Sequence, residues 1–373
     1  MIPEFKDITD EEDVRGNNIL APLNKKSVNG FGLEKDKEFY IDFENGIMRE
    51  NIKKEMDELE MRVKNKEIAM EDVLFYETLK DELRLEAKVE KPRSFRICRL
   101  PIILWQKKIF GDLFQQIMTT SDFNQVSLGA NPYKDWDKYY QEMTKMEIVF
   151  DIDIATFDGK QAAQMQDLCN SVILSKYRGE HKEMAEFLLE MMVRSWLLVR
   201  NKLMTTTHSL PSGIWLTGLF NSFYNRGYSA CSFSREVIRD NKKPLVVDFF
   251  KLLDRVCGDD KLCGAPKGLK KYFNAKTVGS FFNSIGMKAT TGTKGEIEHE
   301  GQDISEVSFL KRKFRYHPEL RKVMGTLDKE TLVNSVQWFD IGKDLDIVLD
   351  GKLRSFQREM YLHPDGDLYV EKD

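Results

Sequence analysis

No stretch of this chain stays apolar for the roughly 18 residues that a membrane-spanning helix needs. Its start, MIPEFKDITDEEDV, has neither the basic head nor the apolar core of a secretory signal. These two absences predict a soluble, intracellular chain without a transmembrane segment. Cysteine is scarce: Cys98, Cys169, Cys231, Cys257 and Cys263 are odd in number and include no CxxC pair. That argues against a disulfide scaffold or a zinc site and predicts free thiols in a reducing compartment. Internal repeats, low-complexity tracts and Pro/Gly/Ser-rich linkers are missing too, so any domains are interwoven. Charge of one sign is not in excess, since 57 Lys and Arg against 61 Asp and Glu leave a net charge of -4. Binding to a polyanion would therefore have to come from local basic patches. What remains is a folded protein, with 41% hydrophobic and 11% aromatic residues in a 373-residue chain, enough for two or three domains and a large core.

The most informative stretch is Val256-Cys257-Gly258-Asp259-Asp260-Lys261-Leu262. Two carboxylates behind a glycine, between apolar flanks, read as a tight turn joining two short strands, because glycine takes positive φ without steric cost. Successive strand residues face opposite ways, so a turn that holds Asp259 and Asp260 at its tip lets both serve one site. Such a turn alone is also an ordinary surface feature, so the rest of the chain has to decide. Met146–Ile154 reads as a buried strand that ends in acids and delivers Asp153, with Asp158 five residues further on. Acids at the end of an apolar strand call for a partner, either a salt bridge or a divalent cation.

Other stretches supply cations and polar groups. Lys25, Lys26 and Ser27 open a glycine-bearing loop, Lys25–Gly32, that could meet a phosphate backbone or be a plain surface loop. Residues 51–66 read as an amphipathic helix with Ile52, Met56, Leu59 and Val63 on one face. Lys80, Arg84, Lys88, Lys91, Arg93, Arg96 and Arg99 spread over a segment that reads as a strand pair with a basic face, suited to a triphosphate. A polar helix follows over 161–177, then an apolar one over 183–203. Ser212 and Gly213 form a loop opening a helix on which Thr217 and Asn221, four residues apart, share a side. After the acidic turn come a helix over 267–285, the polar loop with Lys294, the stretch Val307–Arg312, and helical segments anchored by Thr331-Leu332-Val333 and by Val336, Trp338 and Phe339.

This ordered set resembles the RNA-dependent RNA polymerases of picorna-like positive-strand RNA viruses, insect-virus relatives included. The matching pieces are KDELR at 80–84 with its trailing cations, Asp153-x4-Asp158, Ser212-Gly213-x3-Thr217-x3-Asn221-Ser222, Gly258-Asp259-Asp260, Lys294 and Phe309-Leu310-Lys311-Arg312, with Gly129-Ala130-Asn131-Pro132 and Trp136 added. The resemblance implies a mixed α/β (α+β) right-hand polymerase whose palm is a sheet of antiparallel strands packed on helices. Fingers would span 1–110 and 193–209, palm 111–192 with inserted finger elements and 210–316, and thumb 317–373. The chain would be trimmed at its N-terminus and short in its thumb.

In function, the resemblance implies template-directed nucleotidyl transfer from NTPs to an RNA 3′-OH during viral replication. Asp153, Asp259 and Asp260 would hold two Mg²⁺ ions, for which Mn²⁺ can substitute, and Lys294 would protonate pyrophosphate. Asp158, Ser212, Gly213, Thr217 and Asn221 would bind the nucleotide and its ribose, and Lys80, Arg84, Lys88, Arg93 and Arg96 the triphosphate. RNA and primer would meet Lys25, Lys26, Ser27, Lys311 and Arg312. Partners would be template, primer, NTPs, a protein-linked primer and other viral replication proteins, in host cytoplasm at membrane-associated replication complexes. The chain departs from the family pattern in having Cys257 where tyrosine is usual, in the wide spacing of Arg93 and Arg96, and in its Ser27–Gly32 loop. Two alternatives are a reverse transcriptase, which typically has an aromatic residue where Asp158 stands and lacks Asn221, and an inactive RNA-binding relative, which would have no reason to hold like charges together.

Overall fold

The amphipathic stretch after Asn51 is a helix, Glu50–Asn65, in the computed structural model, which describes residues 5–80, 90, 92–179, 181–337 and 344–365. The buried residues of this helix are the four expected: Ile52, Met56, Leu59 and Val63. They pack towards helices Leu100–Thr119 and Lys182–Val193, each fully buried side chain stabilising by about 1.5–3 kcal/mol. Lys66 ends the helix in the left-handed conformation, its N–H reaching the Arg62 and Val63 carbonyls. Arg99, one of the cations of the basic segment, is tied to this helix through Glu55 at 2.6 Å and to the following turn, Met70–Val73, through Asp72 at 3.7 Å.

The chain divides into two units. One runs to Val126 and resumes over Thr156–Gly227; the other takes Ser127–Ala155 and the chain from Tyr228 onward. With strands numbered along the chain, the first unit holds a small hairpin of β1 (Ile41–Asp42) and β2 (Ile47–Met48). It also holds a four-stranded sheet in the order β4 (Ser94–Ile97), β3 (Leu74–Leu79), β6 (Ser195–Val199), β7 (Lys202–Thr206). Of the strand pair expected over the basic segment only β4 falls within it; its antiparallel partner β3 ends at Leu79, before the first of the cations, because Tyr76–Leu79 is the stretch that meets Ser94–Ile97 in register. Arg84, Lys88 and Lys91 lie outside the described residues.

The apolar stretch 183–203 is not one helix. It is helix Lys182–Val193 followed by the β6–β7 hairpin, which turns at Arg200-Asn201. A short apolar run cannot be assigned by periodicity alone, and parallel pairing of Trp196–Val199 with Leu74–Glu77, more than a hundred residues away in sequence, decides for strand.

In the second unit a four-stranded sheet runs β10 (Ala289–Thr290), β5 (Ile148–Ile154), β9 (Asp260–Ala265), β8 (Leu253–Cys257), every pair antiparallel. A three-stranded sheet of β11 (Ser308–Phe309), β12 (Arg312–His317) and β13 (Lys322–Thr326) follows. One core joins the two sheets: Trp136, Tyr139 and Met143 of helix Asp135–Met143 with Val149, Leu253, Leu262, Val307, Phe309, Phe314 and Val323.

Two expectations need correction here. The helix placed over 267–285 is Ala275–Ser284, started by Asn274, whose side chain accepts from the Thr277 N–H in a capping box. The segment after Arg312 is first a β12–β13 hairpin and only then helical, over Lys329–Val336 and Leu345–Tyr361. Of the expected anchors Leu332 is buried and Val336 half-buried, Val333 is exposed because it lies on the outer side of its helix, and Trp338 and Phe339 lie outside the described residues. Among the described residues no helix is long and apolar enough to cross a membrane.

Candidate active site

The acidic turn is a two-residue hairpin loop. Cys257 pairs with Asp260 across it, leaving Gly258 and Asp259 at the corner. Gly258 has φ 66°, the positive value that a hairpin of this size takes at its first corner residue. This corrects the expected placement of both acids at the tip: Asp259 is exposed there, whereas Asp260 is the first residue of β9 and half-buried. The neighbour of β9 is β5, and their pairing reaches Ile152 opposite Lys261. Asp153 is the next residue of β5, which sets it beside Asp260.

The electrostatics follow from that register. The Asp260 carboxyl is pushed up to about 6, first by burial, then by the charges of Asp259 and Asp153, with Lys311 and Lys294 opposing. Lys294 makes an ion pair with Asp153 from the exposed loop after β10. It holds a φ of 69° inside a turn closed by hydrogen bonds from Lys294 N–H to Thr291 O (2.8 Å) and from Thr291 N–H to Gly295 O (3.0 Å). It also lines a cavity of about 490 Å³ with Lys276, Ser280, Asn283, Lys288 and Thr290. Burial pushes the Cys257 thiol up to about 12, and Asp260 and Asp259 add to the rise, so it stays protonated beside the acids.

These acids fit a divalent cation of the Mg²⁺ type. Burial and then repulsion within the set lift Asp260, and a hard cation would relieve the repulsion. Among the described residues no three acid, histidine or cysteine side chains gather closely enough to hold an ion unaided.

A second group of predicted residues meets in the first unit. Asp158 begins the short turn Asp158–Lys160, and Asn221 lies in the first turns of helix Thr217–Arg239. Asn221 Nδ2 donates to Asp158 Oδ1, and Gln161 Nε2 donates to Asn221 Oδ1 at 3.3 Å. The loop before the helix closes on the same turn, through Leu210 N–H to Asp158 O (2.8 Å) and Ser209 N–H to Gln161 O (3.0 Å). Arg96 Nη1 donates to Ser209 Oγ at 2.7 Å, so a predicted triphosphate cation stands with the predicted ribose pair. Burial pulls the Arg96 guanidinium down, and the charges of Glu77 and Asp158 oppose that.

Gly213 is needed by close approach, since a Cβ there would sit 1.7 Å from Arg96 O. Ser212 is half-buried beside it. The Thr217 hydroxyl is committed to the loop, donating to Ile214 O (2.9 Å) and Pro211 O (3.2 Å). Gln161, Gln166 and Ser209 were not foreseen; buried glutamines at the start of a polar helix were the available signal.

The remaining cations are placed separately. Lys80 and Arg93 flank the β3–β4 pair, joined by Lys80 N–H to Arg93 O at 2.9 Å. Lys25, Lys26 and Ser27 line a cavity of about 840 Å³ with Tyr76, Glu77 and Arg200. Lys37, which sequence reasoning passed over, is buried behind them and donates to Asn24 O at 3.0 Å and to Ser27 Oγ. Lys311 is a corner residue of the β11–β12 hairpin, while Arg312 is engaged by Glu359 (2.6 and 2.9 Å) and Gly325 O (2.8 Å). An RNA phosphate would have to compete with that bidentate pair.

Fold and acid hairpin together define a polymerase fold. The chain superposes on a Sicinivirus 3Dpol RNA dependent RNA polymerase with a TM-score of 0.81, over 98% of this chain and 74% of that one, at 19% identity, a likeness of fold. It is 27% identical over 301 residues to the RNA1 polyprotein of Tomato ringspot virus (isolate raspberry), covering 78% of this chain and 13% of that protein. To the Replicase polyprotein of Acute bee paralysis virus (strain Rothamsted) it is 26% identical over 362 residues, 89% of this chain and 19% of that protein. The chain thus spans less than a fifth of the length of these relatives. The sequence profile of viral RNA-dependent RNA polymerases matches residues 5–366, and the chain belongs to that family.

Proposed function

We propose that this chain synthesises RNA on an RNA template, joining the α-phosphate of an NTP to a primer 3′-OH with release of pyrophosphate. The observation that carries the reading is the set of Asp153, Asp259 and Asp260, brought together by the β5–β9 pairing and the β8–β9 hairpin corner, where burial first and then the charges of Asp259 and Asp153 lift Asp260. Two Mg²⁺ ions, held there by these acids and by the substrate's phosphates, would supply charge stabilisation at the attacking and leaving oxygens. Lys294 would donate a proton to the leaving pyrophosphate, as a lysine ammonium is ordinarily protonated near neutral pH. To do so it gives up its ion pair with Asp153, which a bound cation would replace. Asp158 and Asn221 would hydrogen-bond the ribose, with Ser212, Gly213 and Thr217 shaping the loop beside them. Lys80, Arg93 and Arg96, with Arg84 and Lys88, would carry the triphosphate. Lys25, Lys26, Ser27 and Lys311 would meet RNA.

An RNA-binding relative without activity accounts for the cations but not for three acids kept together at an electrostatic cost. A reverse transcriptase accounts for the acids but not for a polar Asp158–Asn221 pair where a 2′-hydroxyl would lie. The partners beyond RNA and NTPs would be a protein-linked primer and other replication proteins, at membrane-associated complexes in the host cytoplasm.

The test is extension of a labelled primer on a homopolymeric RNA template with Mg²⁺ or Mn²⁺. Asp259→Asn should abolish incorporation and leave RNA binding nearly intact. Incorporation by Asp259→Asn at the wild-type rate would remove the basis of the reading.

A further inference from the structure

Asp151 lies in β5 two residues before Asp153, so the two side chains leave the strand on the same face. Asp151 is 3% exposed and its carboxylate is saturated with donors. Oδ1 accepts from Gly292 N–H at 3.0 Å, and Oδ2 accepts from Ser308 N–H at 2.7 Å and Ser308 Oγ–H at 2.9 Å. Its own N–H donates to Gln302 Oε1 at 2.9 Å.

Each donor belongs to a segment that carries one of the cations facing the acids. Gly292 lies inside the Thr291–Gly295 turn that presents Lys294. Ser308 begins β11, whose hairpin into β12 turns at Leu310 and Lys311. Both corner residues of that hairpin have positive φ, 53° and 61°, a conformation that side-chain-bearing residues hold only when the surroundings impose it. A Cβ at position 292 would meet Asp151 Oδ2 at 2.7 Å and Ser308 Oγ at 2.8 Å, so any side chain there would push these hydrogen-bonded groups apart. Lys311 and Lys294 are also the two cations that oppose the rise of Asp260.

We propose that Asp151 is a positioning residue: one buried carboxylate fixes the Lys294 loop and the Lys311 hairpin to the strand that carries Asp153. It touches neither nucleotide nor metal, because its oxygens are taken by the three donors. The proposal rests on the reading of Lys294 as proton donor.

Asp151→Asn keeps the shape but turns one acceptor into an N–H₂ group facing a donor. A misplacement of the order of 1 Å can cost up to a hundredfold in rate, so single-nucleotide incorporation at saturating NTP should slow about 10- to 100-fold, with NTP affinity changed less than about threefold. In a Lys294→Met background, itself slow, adding Asp151→Asn should cost less than about twofold, because both changes remove one contribution. A purely structural role would lower melting temperature and multiply the losses in the double variant. A wild-type rate for Asp151→Asn, or fully multiplicative losses, overturns the proposal. A full rate for Lys294→Met overturns the reading of Lys294 and the proposal with it, a result distinct from the first. If Asp151→Asn does not fold, Ser308→Ala, which removes only the hydroxyl hydrogen bond to the Lys311 hairpin, is combined with Lys311→Met instead, with an expected loss of about threefold alone; equal loss with and without Lys311→Met overturns the proposal.

Discussion

Replacing Asp260 by asparagine should make the metal-free protein more stable and at the same time remove most of its stabilisation by Mg²⁺. Asp260 is the half-buried member of the acid set, and its carboxyl stands at about 6 against an ordinary 3.8, through burial first and the charges of Asp259 and Asp153 next. Keeping it ionised at pH 7 therefore costs the folded state roughly 3 kcal/mol at 1.36 kcal/mol per pH unit, reduced by solvent on its open side to about 1–2 kcal/mol. A group whose folded pKa is raised contributes its stability fully below the unfolded value and loses it as pH climbs through the folded one. In EDTA, wild type and Asp260→Asn should thus be equally stable near pH 4, with the gap opening towards pH 6 and staying constant above it. Thermal melts across that range measure it, the expected advantage of the variant at pH 7.5 being about one to a few degrees. Adding Mg²⁺ should raise the melting temperature of wild type and much less that of the variant, since a ligand that binds only the folded state stabilises it by mass action. A variant no more stable than wild type in EDTA at pH 7.5, or a gap that does not change between pH 4 and 7.5, would refute the electrostatic account of the acid set.

Three further outcomes follow from other contacts. Asn221→Ala leaves Asp158 Oδ1 and Gln161 Nε2 without their shared partner, and the ratio of kpol/Kd for CTP over dCTP should fall roughly tenfold, chiefly through slower CTP use; an unchanged ratio would assign sugar selection elsewhere. Arg96→Ala should raise the apparent NTP KM or slow incorporation far more than it weakens RNA binding, and should also lower the CTP/dCTP ratio, because Arg96 holds Ser209 of the loop closed on Asp158; equal loss of RNA affinity with unchanged nucleotide kinetics would refute this. Lys107→Met removes the ammonium that opposes the rise of Asp13, whose carboxyl burial pushes up to about 8, so its loss of stability relative to wild type should grow from pH 7 to pH 9, where the wild-type pair is ionised and the variant must keep Asp13 protonated; a drop in melting temperature that is equal at both pH values would count against it.

The parts of the fold readable from sequence are those fixed by local chemistry. Gly258 with two acids between apolar flanks leaves few alternatives to a hairpin corner, and Ile52, Met56, Leu59 and Val63 recur at helical spacing whatever they pack on. The parts misread are those settled by distant segments. Trp196–Val199 could continue a helix until β3 offers a parallel edge, and Arg312 looks like a free cation until Glu359 takes both sides of its guanidinium. Asn221 and Asp158 were legible as a pair only through their place in an ordered set of motifs. Gln161, Gln166 and Ser209, which bind that pair to Arg96, have no spacing that announces them.

Asp151 and Asp153 show most plainly what sequence leaves open. Both are aspartates of β5, on one face, and nothing in Phe150-Asp151-Ile152-Asp153-Ile154 tells them apart. Their surroundings give them opposite chemistry. Asp151 has both oxygens met by an N–H or O–H from Gly292 and Ser308, so its charge is already stabilised and a cation would have to displace those donors. Asp153 is two residues closer to the strand end, beside the half-buried Asp260, with the exposed Lys294 as a counter-charge. A hydrated cation can take the place of that lysine without breaking buried hydrogen bonds, and doing so lowers the repulsion that lifts Asp260. The strand therefore separates support from chemistry by depth alone: the inner carboxylate is spent on holding the loops, and the outer one is left for the ion.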